Sequence, residues 1–271
     1  MVHAPVRRLR CRSPSSDEAH HHGPVSSEKP NVTQALSFGA AAAVYERSRP
    51  PYPAAAIDWL LPSGARRVLD LGAGTGKLTR LLCDRSLEVI AVEPSGGMRE
   101  QLTRTAPAAR VLDGTAEHIP LGEGTVDAVL VAQAWHWVDP RQAVPEVARV
   151  LRPDGALGML WNIRDEREDW VAELGSLMHR HGQNGNDVPD PAVGPPFGSL
   201  EHHDIEWHYQ LAPGVVVDLV ASRSYVLTLP QARRAALLDD VRTLLGTHPS
   251  VAGHGMVALP YITHCFRTRR G

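Results

Sequence analysis

VLDLGAGTGKLTRLL, from Val68 to Leu82, decides the fold. Val68–Leu71 is a short apolar run carrying one acid, Asp70. Gly72, Gly74 and Gly76 follow at alternate positions, and Leu78, Leu81 and Leu82 then share one helical face. The unit reads strand, glycine loop, helix. Glycines let a ligand approach the backbone, and the helix start offers free N–H groups. A phosphate-cradling loop needs Gly-x4-Gly-Lys-Ser/Thr. Gly76-Lys77 matches its end, but Leu71 and Leu78 stand at the other required positions. A dinucleotide loop needs Gly-x-Gly-x-x-Gly; here the third glycine falls one place early and Lys77 takes its position. What remains is Asp-x-Gly-x-Gly-x-Gly, starting at Asp70.

The 271 residues suit one elaborated α/β domain or two small ones. With 43% hydrophobic and 21% charged residues, the composition is that of an ordinary soluble globular protein. A net charge of −2 gives no global field favouring nucleic acid. No apolar run reaches the length of a transmembrane helix. Cys11, Cys83 and Cys265 are far apart and form no CxxC, which fits a reducing cytoplasm and no structural metal.

Residues 1–33 mix Arg, Ser, Pro and His without apolar period and are expected to be a disordered, functionally silent tail. His20–His22 are adjacent and poorly placed to close one coordination sphere. A single domain is expected over 34–271. It begins with an alanine-rich helix over about 38–47, a Pro50-Pro51-Tyr52-Pro53 break, and a second helix ending near Leu61. Tyr45 and Arg49 lie where an N-terminal cap would cover a ligand; the segment's aromatics could equally anchor two packed helices.

Beyond the glycine loop, LEVIAVEPS is a second strand closed by Glu93, where nucleotide-binding α/β folds place an acid for ribose hydroxyls. Ser95 can cap the next helix, with Met98 and Leu102 inward. A third strand spans about 110–113. Val126–Val131 is apolar throughout, as in a strand covered on both faces, and runs into Gln133-Ala134-Trp135-His136-Trp137. Asp139-Pro140 offers a cap and a first-turn proline, while Pro145 would kink the helix or delay its start. Pro153-Asp154-Gly155 reads as a turn before a fifth strand, Ala156–Asn162. Five such repeats make a doubly wound parallel sheet, with ligands at the strands' carboxyl ends. Further on, Trp170–Met178 is helical, 182–200 is a loop long enough for a lid, Ile205–Tyr209 alternates as a strand, and Val215–Ser222 is a short helix. A helix over Leu237–Leu245 is stopped by Gly246, and Tyr261–Arg267 is the last strand.

With these motifs in hand, the chain from about 36 to 268 resembles the class I S-adenosyl-L-methionine (SAM)-dependent methyltransferases of the type-11 group. Phe38-Gly39, Tyr45, Arg49-Pro50 and Tyr52-Pro53 match the N-terminal signature of one branch. VLDLGAGTGKLT, VIAVEPS, GTAEHIPL, VDAVLVAQAWHW and VARVLRPDGALGMLWN match elsewhere. The resemblance implies a Rossmann-like seven-stranded sheet of order 3-2-1-4-5-7-6, strand seven antiparallel, with an N-terminal helical cap.

It also implies SAM as cofactor and assigns the site. Tyr45 and Arg49 reach the ligand. Asp70, Gly72, Ala73 and Gly74 hold the methionine end, and Glu93 takes the ribose. Pro94, Thr115 and Ala116 meet the adenine, though relatives often carry Asp where Thr115 stands. Gln133 and Ala134 border the reacting methyl.

The chemistry agrees. SAM carries a carboxylate, an ammonium and a sulfonium but no phosphate, so a helix start and Asp70 suit it better than a phosphate cradle. Tyr45, Trp135 and Trp137 are candidate rings for the sulfonium. His136 is the candidate base, or else is packed between two tryptophans for structure. The expected activity is methyl transfer to a small molecule, at oxygen, in the cytoplasm, with no nucleic-acid or membrane partner. A SAM-binding sensor or scaffold without transfer is the alternative, and a nicotinamide oxidoreductase is disfavoured by the glycine spacing. Acceptor identity and oligomeric state are not legible.

Overall fold

Apolar runs that alternate with amphipathic helices build the sheet. The structure, a computed structural model, describes residues 49–182 and 191–271. The expectations for the 1–33 tail, the helix over 38–47, Tyr45 and the middle of the 182–200 loop lie outside the described residues.

The first described helix is α1 (Ala54–Leu60), then β1 (Arg67–Leu71), α2 (Lys77–Cys83), β2 (Glu88–Val92), α3 (Gly96–Thr105) and β3 (Arg110–Leu112). β4 (Val126–Ala132), a 3-10 turn (Trp135–Trp137), α4 (Pro140–Val150) and β5 (Leu151–Arg164) complete the parallel part. α5 (Asp169–Arg180), β6 (Glu201–Leu211), α6 (Pro213–Ala221), α7 (Ser224–Leu227), α8 (Gln231–Thr247) and β7 (Val257–Arg269) follow. The sheet order is β3-β2-β1-β4-β5-β7-β6, and β7 runs antiparallel to both β5 and β6. The order and the odd direction of strand seven are as expected.

Both faces of the parallel strands are covered. Leu69, Leu71, Val129, Val131, Leu157 and Met159 pack against α4 residues such as Ala143 and Val147. Val68, Val89, Leu130 and Leu160, on the other face, meet Ile57 and Leu60 of α1 and Leu78 and Leu82 of α2. A third core joins α5, α6 and α8 to the β6–β7 pair through Leu174, Val216, Leu237, Val241 and Leu259. Burying each such side chain contributes about 1.5–3 kcal/mol against the entropy of ordering it.

Three local expectations are corrected. Pro153-Asp154-Gly155 is no turn between elements; it is an irregularity inside β5. The register jumps from Val126↔Leu151 to Ala128↔Ala156, and Asp154 takes φ 61. The chain stays hydrogen-bonded on both sides of this bulge, so the strand continues through it. Pro145 does not delay α4, which starts at Pro140. The Asp139 carboxylate accepts the Arg141 N–H at 3.0 Å, and buried Ala143, Val144, Val147 and Ala148 hold the helix despite the missing donor. Gly246 does not stop α8, which runs to Thr247. The stop comes from Pro249, which drives His248 to an extended ψ of 128°.

Candidate active site

β1, β2, β4 and β5 are parallel, so their carboxyl ends open on one edge, and the flagged residues gather there. After Leu71 the chain turns sharply. Gly72, Gly74 and Gly76 have φ of 72°, 58° and 94°. A side chain at Gly72 would meet the Ala134 Cβ at 2.8 Å, and one at Gly76 would meet Leu102 Cδ1 at 2.6 Å. Gly74 differs: a Cβ there would find nothing within 4 Å, so its backbone faces open space.

Two acids flank this loop. Asp70 is fully buried; its Oδ2 accepts the Thr79 hydroxyl at 2.6 Å, while Oδ1 has no hydrogen-bond partner. Burial pushes its pKa up to about 7, opposed by Thr79 and aided by the negative charge of Glu93. Glu93 closes β2. Its two oxygens accept the Gly74 and Ser95 N–H groups, each at 2.9 Å. Burial raises its pKa, and those two N–H groups and Arg99 work against the rise. Arg99 also ties down the Glu93 and Pro94 carbonyls and the Asp113 carboxylate. The acid is thus fixed in place, each oxygen retaining lone pairs for a further donor.

Pro94 is exposed at the rim, and Ala116 is buried nearby. Thr115 is exposed, and its hydroxyl accepts the His118 N–H at 3.2 Å in a local turn. Gln133 ends β4 with φ 58, a conformation costly for a residue with a side chain. Its N–H donates to Leu160 O and its Nε2 to Asn162 O, which holds it over the cleft.

Asp70, Gly72, Ala73, Gly74 and Gln133 all line one cleft, with an empty volume of about 570 Å³. Arg49 lines it too, and donates to Ser222 O at 3.1 Å. His136 does not line it. The residue is exposed, but its ring rests on Trp137, and its Nδ1 accepts the Trp161 indole N–H at 3.3 Å. Burial of the ring pushes its pKa down to about 4. The ring is therefore neutral near pH 7, with its proton on Nε2. Trp135 is buried in the core, not in the cleft.

Among the residues that shape the site but were not singled out from the sequence are Thr79, behind the cleft, and Asn162, Arg223 and Tyr261, which line it. Thr79, one turn into α2, clamps Asp70. Asn162 bonds Pro51 O and the Thr263 hydroxyl. Arg223 and Tyr261 come from the strand-six and strand-seven region. Asn162 was visible as the end of strand five. Arg223 sits in an irregular segment between helices and carries no periodic signal.

The residues present fit SAM. The orphaned, buried Asp70 Oδ1 suits an ammonium. The open backbone at Gly74 can be approached closely, and a fixed carboxylate stands at the end of β2.

Residues 69–159 match the methyltransferase-domain family. The uncharacterized methyltransferase Rv3342 of Mycobacterium tuberculosis is 56% identical over 233 residues, covering 86% of this chain and 95% of its own. An uncharacterized methyltransferase-like protein of Schizosaccharomyces pombe is 30% identical over 244 residues, with the same coverage. Among solved structures, one assigned to the methyltransferases, from Anaeromyxobacter dehalogenans, superposes with TM-score 0.64 at 23% identity, over 82% of this chain and 97% of that one. Strand order, glycine loop and relatives agree: the chain belongs to the class I SAM-dependent methyltransferases, and its cofactor is SAM.

Proposed function

We propose that the protein transfers the methyl group of SAM to an oxygen of a small-molecule acceptor. The observation that carries this reading is the cleft itself. It runs from the glycine loop to a wall of Asn162, Arg223 and Tyr261, three side chains supplied by β5, β7 and the α6–α7 junction. Such a space suits a small molecule. Bound SAM supplies a methyl on a positively charged sulfur, so attack by an acceptor oxygen forms O–CH3 and breaks S–CH3, whose electron pair stays on sulfur.

The chain's own work is positioning. Asp70, oriented by Thr79, takes the ammonium, and the backbone of Gly72, Ala73 and Gly74 serves the methionine end, with Arg49 at the same cleft; Tyr45 is assigned to the cofactor by the resemblance alone. Glu93 receives the ribose hydroxyls. Pro94, Thr115 and Ala116 border the adenine; the engaged Thr115 hydroxyl supports a contact through backbone rather than side chain. Gln133 and Ala134 shape the place where methyl and acceptor meet. His136, neutral and holding its proton on Nε2, is left out of proton removal in this reading, and an acceptor that arrives already deprotonated needs no base. No helix among the described residues is long and apolar enough to cross a membrane.

The test is labelled-methyl transfer from SAM into a metabolite extract, with mass identification of the product. Label in a small O-methylated molecule is the expected result. Tight SAM binding with no labelled product from any fraction would make the protein a SAM-binding module instead.

A further inference from the structure

The β6 edge of the sheet carries a cluster that the cleft does not use. Within the sheet β6 bonds only β7. His202 and Asp204 stand two residues apart on β6, so both side chains project from one face. His264 of β7 is the register partner of Asp204 and joins them on that face. Asp204 Oδ1 lies 2.8 Å from His202 Nε2 and 2.6 Å from His264 Nδ1, so two imidazoles converge on one carboxylate oxygen. Among the described residues, these three bring one donor atom each within 4.8 Å of one another. None of them lines the cleft.

The surroundings hold the three side chains without competing for them. His202 is exposed, yet its ring stacks on Phe266, with centroids 4.5 Å and planes 12° apart, and lies 5.8 Å from the His264 ring. His264 is buried. Nearby charged and imidazole groups have other partners. Glu206, next on the same face of β6, takes Arg167 at 2.7 Å. On the opposite face Glu201 takes Arg267, and His203 stacks on Trp59. Among the described residues, Asp204 pairs with the two imidazoles and with no arginine or lysine.

Two imidazoles and one carboxylate are the donor set of a borderline divalent ion such as Zn2+, whereas Mg2+ and Ca2+ favour oxygen donors. Metal bonds of about 2.0–2.2 Å at tetrahedral angles set ligand atoms about 3.4 Å apart. His202 and Asp204 are exposed, so they are free to part by the missing ~0.7 Å. Each ring then keeps its proton on the far nitrogen, Nδ1 of His202 and Nε2 of His264, and water takes the remaining position. The scattered cysteines argue against a thiolate site and leave an imidazole one open. His264 lies 60 positions from Asp204, so no ligand spacing along the chain announces it.

We propose that His202, Asp204 and His264 bind a divalent transition-metal ion of the zinc class, and that the ion clips the edge strand β6 to β7. Two ligands come from β6 and one from β7, so the ion crosslinks the strand pair in addition to its backbone hydrogen bonds. The site stands apart from the cofactor cleft and does not depend on the small-molecule reading above.

Calorimetry with zinc chloride, on the full untagged chain stripped with EDTA, tests it. The His20–His22 run also offers imidazoles, so a His20→Ser, His21→Ser, His22→Ser variant serves as the background protein. The expected result is a single zinc ion bound, no binding of magnesium or calcium chloride, and zinc binding weaker by about tenfold or more in Asp204→Asn and in His202→Phe. His202→Phe keeps a ring on Phe266 and removes only the ligand nitrogen. Zinc should raise the thermal midpoint of the background protein by about 3 °C or more and leave both variants unmoved. Zinc binding that is absent from the background protein, undiminished in either variant, or matched by magnesium overturns the proposal. So does binding that leaves the midpoint where it was, because the ion would then not clip the strand. If Asp204→Asn melts early without metal, His202→Phe decides the matter.

Discussion

Asp70 is the residue whose surroundings most constrain its chemistry. Its folded pKa, near 7, lies above the usual carboxylate value. The sign follows from linkage: ionising it inside the protein costs stability, so its contribution is most favourable at low pH and is lost as pH rises towards 7. Relative to Asp70→Asn, the ligand-free wild type should therefore lose thermal midpoint between pH 5 and 8. An ammonium favours the ionised form, so SAM affinity should rise from pH 5.5 to 7 in wild type and stay flat in the Asn variant; calorimetry at the two pH values checks both. For Glu93, held by the Gly74 and Ser95 N–H groups, Glu93→Ala should weaken SAM binding by about 1–3 kcal/mol, and an unchanged affinity would remove it from the ribose. At His136 the prediction is spectroscopic. The Trp161 N–H on Nδ1 places the proton on Nε2, so nitrogen NMR should show the Nε2–H tautomer unchanged from pH 8 to 5. Titration near pH 6.5 would show instead that the ring is free of its tryptophan neighbours.

Elements carry the test of the glycine loop. Gly72 and Gly64 have similar positive φ, 72° and 77°, but only Gly72 has a neighbour that a Cβ would strike. Gly64→Ala should cost about 1–2 kcal/mol, the backbone penalty alone. Gly72→Ala should cost about 1–3 kcal/mol more, because Ala134 must move, and should disturb SAM binding; chemical denaturation and calorimetry separate the two effects. Much of this was legible in the sequence because strand, loop and helix repeat a local pattern: Val68–Leu71, Ser95 before α3 and Asp139-Pro140 before α4 all read correctly. Gly246 and Pro153–Gly155 misread for one shared reason. A glycine or proline marks where the backbone can bend, and neighbouring pairing or packing decides whether it does. Arg223 was illegible because its meaning lies in what surrounds it, Arg49 more than 170 positions away in the chain and Tyr261 on another strand.

At the scale of the molecule, function is divided between two halves of one sheet. The parallel half holds the cofactor through motifs near in sequence. The β6–β7 half, with its own helical core, brings Tyr261 to the same cleft, and Arg223 joins it there only through folding. This division explains why the cofactor motifs could be read from the chain while the β6–β7 wall of the cleft could not. The halves are joined by β7, which pairs with β5 over Ala156–Arg164 and with β6 over Glu201–Leu211. Truncation before Val257 should therefore remove β6 from the sheet as well, giving a protein with no cooperative unfolding of the α5–α6–α8 core by circular dichroism. The same strand sets the timing of biosynthesis. β7 is made last yet inserts between two strands made earlier, so a nascent chain emerging from the ribosome can assemble β1 to β5 but must keep β6 waiting without its hydrogen-bonding neighbour. Until β7 arrives, β6 has no neighbour to bond to in the sheet and is left as an unprotected edge.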